Sequence, residues 1–318
     1  MSVVLVALAG GVGAARLLSG LVEVVDPGDV TAVVNTGDDM VLHGLHISPD
    51  VDTVLYTLAG MANPHTGWGV AGESWSVMAA LEDLGGETWF RLGDRDLATH
   101  LYRTQRLAEG ATLTTVTREL AVARRVGIGI VPMSDDPVRT RLVLDEAADG
   151  LAAGTEVAFQ RYFVGLGHAV RVRSVRFDGA DAARPSPGVL EAIDAAELVI
   201  ACPSNPIVSL GPILALPGIR DALEARRGSV VAVSPIVAGA ALKGPADRLL
   251  VELGHEASAV GVARLYASWA GTLVIDERDR HLAARVEAEG LRCMVAPTVM
   301  ASASVAARLC DTVLDAAR

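Results

Sequence analysis

Four carboxylates, Asp38, Asp39, Asp50 and Asp52, fall in two short turns, Asn35-Thr36-Gly37-Asp38-Asp39 and Ser48-Pro49-Asp50-Val51-Asp52-Thr53. The first turn follows directly on the apolar Val33-Val34, and the second opens a stretch with helical spacing. Aspartate is ordinary in turns and helix caps. Two clusters beside a buried strand are costly, however, unless something cationic sits between them. Carboxylate oxygens suit Mg²⁺, which takes one or two protein carboxylates and completes its octahedron with water and substrate phosphate. The chemistry these residues point to is a divalent metal holding a diphosphate. Asp135-Asp136 is a third acidic turn, read as structure or as the rim of the site.

A second constellation lies at the start of the chain. An apolar run empties into Gly10-Gly11-Val12-Gly13, followed by Leu17, Leu18, Leu21 and Val22 at helical spacing. Strand, glycine turn and helix together aim backbone N–H groups and the positive helix end at an anion. The same glycines would also serve close helix–strand packing. A Walker loop fails because Arg16-Leu17 stands where Lys-Ser/Thr is needed, and the third glycine of a dinucleotide fingerprint is absent. Ser204-Asn205, in a Pro-flanked turn, could read the edge of a base or form only a rigid turn. Arg91 is a candidate anion or ring contact, and Lys243 is either solvated or a contact from a Gly-Pro turn. His43 and His46 have no zinc spacing, and no Gly-x-Ser-x-Gly elbow occurs. Cys202, Cys293 and Cys310 have neither metal nor disulfide spacing and read as small hydrophobes.

The elements that must position these residues alternate. Apolar runs at 3–8, 30–34, 128–131, 198–201, 230–233 and 272–275 end in Gly, Pro, Ser, Asn or Asp, and most lead into helical spacing. Residues 89–92 read as another strand-to-turn junction, with Asp94 capping the helix that follows. Residues 157–164 and 170–177 read as a strand pair, antiparallel because the connection is short. The fold class is α/β: a doubly wound, mostly parallel Rossmann-like sheet with an inserted or appended smaller α/β subdomain. One domain spans 1–318, with a seam near 179–187 (GADAARPSP). Ligands of such sheets bind beyond the carboxyl ends of the strands, where the polar turns gather.

The net charge of −11 argues against nucleic acid as the main ligand, since phosphate neutralisation needs a basic face. A metal and a few arginines can still reverse the field locally for a small anion. Lys243 is the single lysine among 27 basic residues, which reads as a GC-rich coding bias. No uncharged apolar run reaches the roughly 18 residues of a membrane helix. A cytoplasmic protein is expected.

Eight ordered segments resemble one family: AGGVGAARLL, VVNTGDD, ISPDVDTVLY, RLGDRDLATH, PMSDDPVRT, CPSNPIVSLGPIL, VSPI and IDERDR. The chain is similar over nearly its whole length to the 2-phospho-L-lactate transferases, the CofD family of coenzyme F420 biosynthesis. The resemblance implies a homodimeric enzyme using Mg²⁺. In the family, a ribityl hydroxyl of the deazaflavin FO attacks a guanosine diphosphate-linked donor, and GMP leaves. The donor carries 2-phospho-L-lactate in archaeal members and an enolpyruvyl group in actinobacterial ones. The resemblance further implies Asp38 and Asp50 as catalytic metal carboxylates, with Asp50 and Arg91 near the deazaflavin. Gly10, Gly11 and Gly13 would meet the phosphates, and Ser204 and Asn205 the guanosine. Asp39 and Asp52 become support. Arg16 departs from the lysine of many relatives, and the Arg-rich composition hints at the enolpyruvyl donor. The alternative is a nucleotide-binding regulatory protein like the gluconeogenesis-factor (YvcK-like) branch, whose Asp-Asp precedes Gly-Gly-Ser-Ser; here Met40-Val41-Leu42 follows. An NAD-dependent enzyme is weakened by the missing glycine and by Asn35 in the ribose-acid position.

Overall fold

Alternation of side chains along the first strand divides the molecule into two layers. Leu5, Ala7 and Ala9 enter one buried cluster with Leu17, Val54, Leu120 and Leu309, while Val6 and Leu8 enter another with Ile193, Leu223 and Val260. Helices therefore cover both faces, as a strand with no polar face requires. Each Leu, Val or Ile among these residues, fully buried, stabilises the fold by roughly 1.5–3 kcal/mol. The structure is a computed structural model describing residues 4–316. Val3, in the predicted opening run, lies outside the described residues.

Seven parallel strands form the sheet, in the order Arg292–Ala296, Thr272–Asp276, Val230–Val233, Leu198–Ala201, Leu5–Ala9, Val30–Val34, Gly129–Pro132. The chain starts at Leu5–Ala9, builds to one side, then returns to add Leu198–Ala201 on the other. Strand order reverses between those two, which is the switch point where such sheets bind ligands. The predicted α/β class is observed. Arg292–Ala296, an edge strand, was not among the predicted strands.

Between Gly129–Pro132 and Leu198–Ala201 the chain inserts a three-stranded antiparallel sheet. Here the predicted pairing of 157–164 with 170–177 is corrected. Glu156–Ala158 and Val172–Asp178 both pair with Arg139–Leu144, which lies between them. Arg139–Leu144 alternates partly exposed with buried residues, the period of a half-buried strand. After Ala158 the chain turns helical: Phe159 and Phe163 stack at 5.4 Å, a contact that helical spacing creates, and Arg161–Gly165 forms a π-helical turn. Tyr162 is buried with Leu142, Val172, and Val208 and Leu249 of the main body.

A second small cluster lies under a hairpin, Met40–Leu42 with Leu45–Ile47. His43 (φ 54°) and Gly44 (φ 78°) form its two-residue turn, the primed geometry that suits strand twist. Leu42 and Ile47 pack there on Met78 and Leu92. Residues 89–92 are not a strand; Trp89 and Phe90 pack against this cluster, and among the described residues no strand pairs with them. Asp94 does not cap its own helix, Asp94–Ala108. Its carboxylate accepts from Ser76 N (3.0 Å) and Val77 N (3.1 Å), capping Ser76–Asp83, while Glu73 accepts from Arg95 N and Asp96 N (both 2.8 Å). The two helices exchange caps. Among the described residues no helix is long and apolar enough to cross a membrane.

Candidate active site

At the switch point the glycine turn and the loop 202–209 touch backbone to backbone. Gly10 N donates to Ser204 Oγ at 3.2 Å. A Cβ on Gly13 would lie 2.2 Å from Pro203 O, and one on Gly10 would lie 2.6 Å from Ser209 Cβ and 2.9 Å from Asp50 Oδ2. No side chain fits at either position. Gly11 (φ 71°) opens helix Gly11–Leu21, which has no side-chain cap and no acid in its first turn. The first N–H groups of a helix have no partner within it; Gly11 N turns to Asp50, and the others of this end are oriented to meet an anion.

Asn35 and helix Pro49–Leu58 bring the carboxylates to that helix end. Asn35 ends the Val30–Val34 strand and is buried. Its Oδ1 accepts from Gly37 N (2.8 Å), fixing the turn. Its Nδ2 donates to Asp50 Oδ2 (2.9 Å), with Asp38 Oδ1 at 3.4 Å. Gln160, from the inserted layer, donates to Asp38 Oδ2 at 2.9 Å. Ser48 precedes the helix but does not cap it; its hydroxyl donates to Asp39 Oδ2 at 2.7 Å, tying the two acidic turns together.

Asp38 and Asp50 are a poorly compensated pair. Burial, then the neighbouring Asp50 and Asp39 charges, holds the Asp38 pKa well above the usual carboxylate range. Burial pushes Asp50 up to about 6, against the lowering effect of the Asn35 and Gly11 hydrogen bonds. Among the described residues no Lys, Arg or His forms an ion pair with either. Buried, mutually repelling carboxylates that share one amide donor fit a divalent cation with oxygen ligands. Asp39 is pushed up to about 7 by burial and borders a cavity of about 400 Å³ lined also by His46, Asp135, Asp136 and Arg139.

Asp52 behaves differently. Its oxygens are held by both terminal nitrogens of buried Arg103, one at 3.0 Å. His100 lies 3.7 Å from Asp52 and 3.1 Å from Asp96, and Tyr56 Oη donates to Asp96 at 2.6 Å. Asp52, Asp96 and His100 are close enough to hold an ion. The guanidinium already balances Asp52, and a dication there would face a buried positive charge. We read this cluster as the structural ion pair that anchors helix Pro49–Leu58 to Asp94–Ala108.

The remaining sequence-singled residues divide. Ser204 lies at the helix end. Asn205 Oδ1 is engaged by Ile207 N (2.9 Å) and Val208 N (3.3 Å), closing its own turn. Arg91 is exposed and stacks on Trp75 at 4.3 Å, apart from the hydrogen bonds joining Asp38 and Asp50. Asp135 accepts from Thr114 N and Asp136 from Arg184 N, so both support turns. Cys202 and Cys310 are buried. Sequence reasoning passed over Gln160, Arg103 and the structural part of Asn35. Asn35 sat visibly at a strand end, whereas Gln160 lies in an insert whose docking no local pattern announces.

This arrangement has known relatives. Residues 5–306 match the model of one family, 2-phospho-L-lactate transferase CofD. The chain belongs to the CofD family. It is 46% identical over 318 residues to the phosphoenolpyruvate transferase of Kitasatospora aureofaciens, covering 98% of this chain and 96% of that one. It is 38% identical over 312 residues to the 2-phospho-L-lactate transferase of Methanosarcina mazei, covering 98% and 100%. In fold it is similar to a Bacillus halodurans crystal structure of the UPF0052 family (TM-score 0.63, 16% identity, 98% and 99% covered). This CofD-family chain is thus a transferase, as the motifs predicted.

Proposed function

We propose that this CofD-family enzyme transfers an enolpyruvyl phosphate group from a guanosine diphosphate-linked donor to the ribityl hydroxyl of FO. GMP leaves, and the product belongs to coenzyme F420 biosynthesis. The observation that carries the reading is the Asp38–Asp50 pair, joined by Asn35 at the open N-terminus of helix Gly11–Leu21. Asp38 and Asp50 would hold Mg²⁺. Bound there, the ion would neutralise diphosphate charge and polarise the phosphorus under attack.

The chain's own groups do the aligning. The N–H groups of the first helical turn other than Gly11 N, which Asp50 engages, would take the oxygens that gain charge as GMP departs. Gly10 and Gly13 let the diphosphate approach the backbone. Ser204 and the loop after it would face the guanosine, and Arg91 on Trp75 would meet the deazaflavin. Phosphoryl transfer asks mainly for alignment and charge dispersal, so no histidine base is demanded. The enolpyruvyl donor is favoured by the relatives named phosphoenolpyruvate transferase, which run from 46% down to 38% identity, the lower end matching the 38% of the lactyl enzyme.

Mass spectrometry of the product formed from FO with each donor, with and without Mg²⁺, tests this. The reading expects the enolpyruvyl product, and only with the ion. Lactyl product alone would reassign the donor; no product from either would remove the reaction.

A further inference from the structure

Two cations converge where no acid answers them. Arg16 stands one turn into helix Gly11–Leu21, and Lys243 lies in the turn before helix Ala246–Glu252. The loop 63–69 joins them. Lys243 Nζ donates to Thr66 O at 2.5 Å. A Cβ on Gly67 (φ 78°) would lie 2.9 Å from Lys243 Nζ, 2.9 Å from Val12 Cγ1 and 3.8 Å from Arg16 Nη2. Both cationic groups therefore lie within 4 Å of one point, over the first turn of the helix.

This pairing runs against the chain's charge balance. The chain has 38 acids for 27 bases. Arg103, Arg106, Arg176 and Arg264 each have a carboxylate. Among the described residues, Arg16 and Lys243 have none within 4.0 Å. Burial and then the Arg16 charge lower the Lys243 pKa, the sign of a cation held beside another. Lys243 is also the chain's single lysine. The Lys243 ammonium sits between Thr66 O and the bare face of Gly67.

We propose that Arg16 and Lys243 clamp the carboxylate of the donor's three-carbon acid, in a subsite beside the one that takes the diphosphate. The proposal rests on the transferase reading above. The metal and the helix N–H groups answer the diphosphate; the acid brings one further negative group that needs its own cations. The Arg16 fork and the free N–H groups of Lys243 suit its two oxygens.

The test compares two ligands on wild type, Lys243→Met and Arg16→Met: GDP, and the guanosine diphosphate-linked 2-phospho-L-lactate donor, by calorimetry with Mg²⁺. Each variant should bind the donor about tenfold or more weakly, the scale of a charge-assisted hydrogen bond, and hold GDP within about twofold. In turnover, KM for the donor should rise with kcat little changed. Equal losses for GDP and donor would assign the cations to the diphosphate and overturn the carboxylate clamp. Unchanged binding of both would overturn any anion role. A wild type that binds neither ligand would instead remove the transferase reading beneath the proposal.

Discussion

Replacing Asp52 by Asn separates the two carboxylate clusters by what each does. Asp52 and Arg103 are 4% and 0% exposed and joined by both terminal guanidinium nitrogens. Removing the charge leaves a buried guanidinium without its main partner, a change that costs about 3–5 kcal/mol. Asp39 also acts on Arg103, so the lower end, about 3 kcal/mol, is expected. Unfolding entropy of roughly 2.1 cal/mol/K per residue over 318 residues gives about 0.7 kcal/mol/K, hence a Tm fall of about 4–5 °C. Calorimetry of Asp52→Asn measures it, and the double variant Asp52→Asn/Arg103→Met should regain part of the loss because no lone charge remains. Mn²⁺ affinity of the folded variant should stay within about twofold of wild type, since Asp52 sits outside the Asp38–Asp50 pair. An unchanged Tm with metal binding lost would instead move the ion to Asp52, Asp96 and His100.

Three further outcomes follow from the same geometry. Gln160→Leu should weaken Mn²⁺ binding by about tenfold, as losing a partner that orients a ligand does, and a Kd equal to wild type would contradict it. Gly13→Ala drives a methyl into Pro203 O and should cost about 1–3 kcal/mol in denaturant unfolding while weakening GDP binding. Glu73→Ala removes the acceptor for Arg95 N and Asp96 N and should cost about 1 kcal/mol, with kcat unaffected.

Six strands of the parallel sheet were legible because each is a short apolar run closed by turn residues, a pattern that a helix does not produce; the partly exposed edge strand Arg292–Ala296 carries no such run. The glycine turn was legible as well; spacing favoured phosphate contact and left close packing as the alternative. Only the structure reveals that Gly10 and Gly13 are pressed against Ser209 and Pro203. Residues 89–92 misled because Trp and Phe favour strands, and a strand also needs an edge to join. Arg139–Leu144 was hidden under the acidic turn before it. Asp50 and Asp52 look alike in sequence; two residues apart on one helix they face opposite sides, one toward Asn35 and the other toward Arg103, and the partners themselves come from distant segments that local patterns do not name.

Asp38 and Asp50 together are proposed to hold a divalent ion at the end of helix Gly11–Leu21. Titrating Mn²⁺ into the GDP-bound protein, followed by the loss of the free-ion paramagnetic resonance signal, measures this without turnover. Wild type should take up the ion, and Asp38→Asn and Asp50→Asn should each bind it at least about tenfold more weakly while remaining folded. Wild-type affinity in either variant would contradict the account.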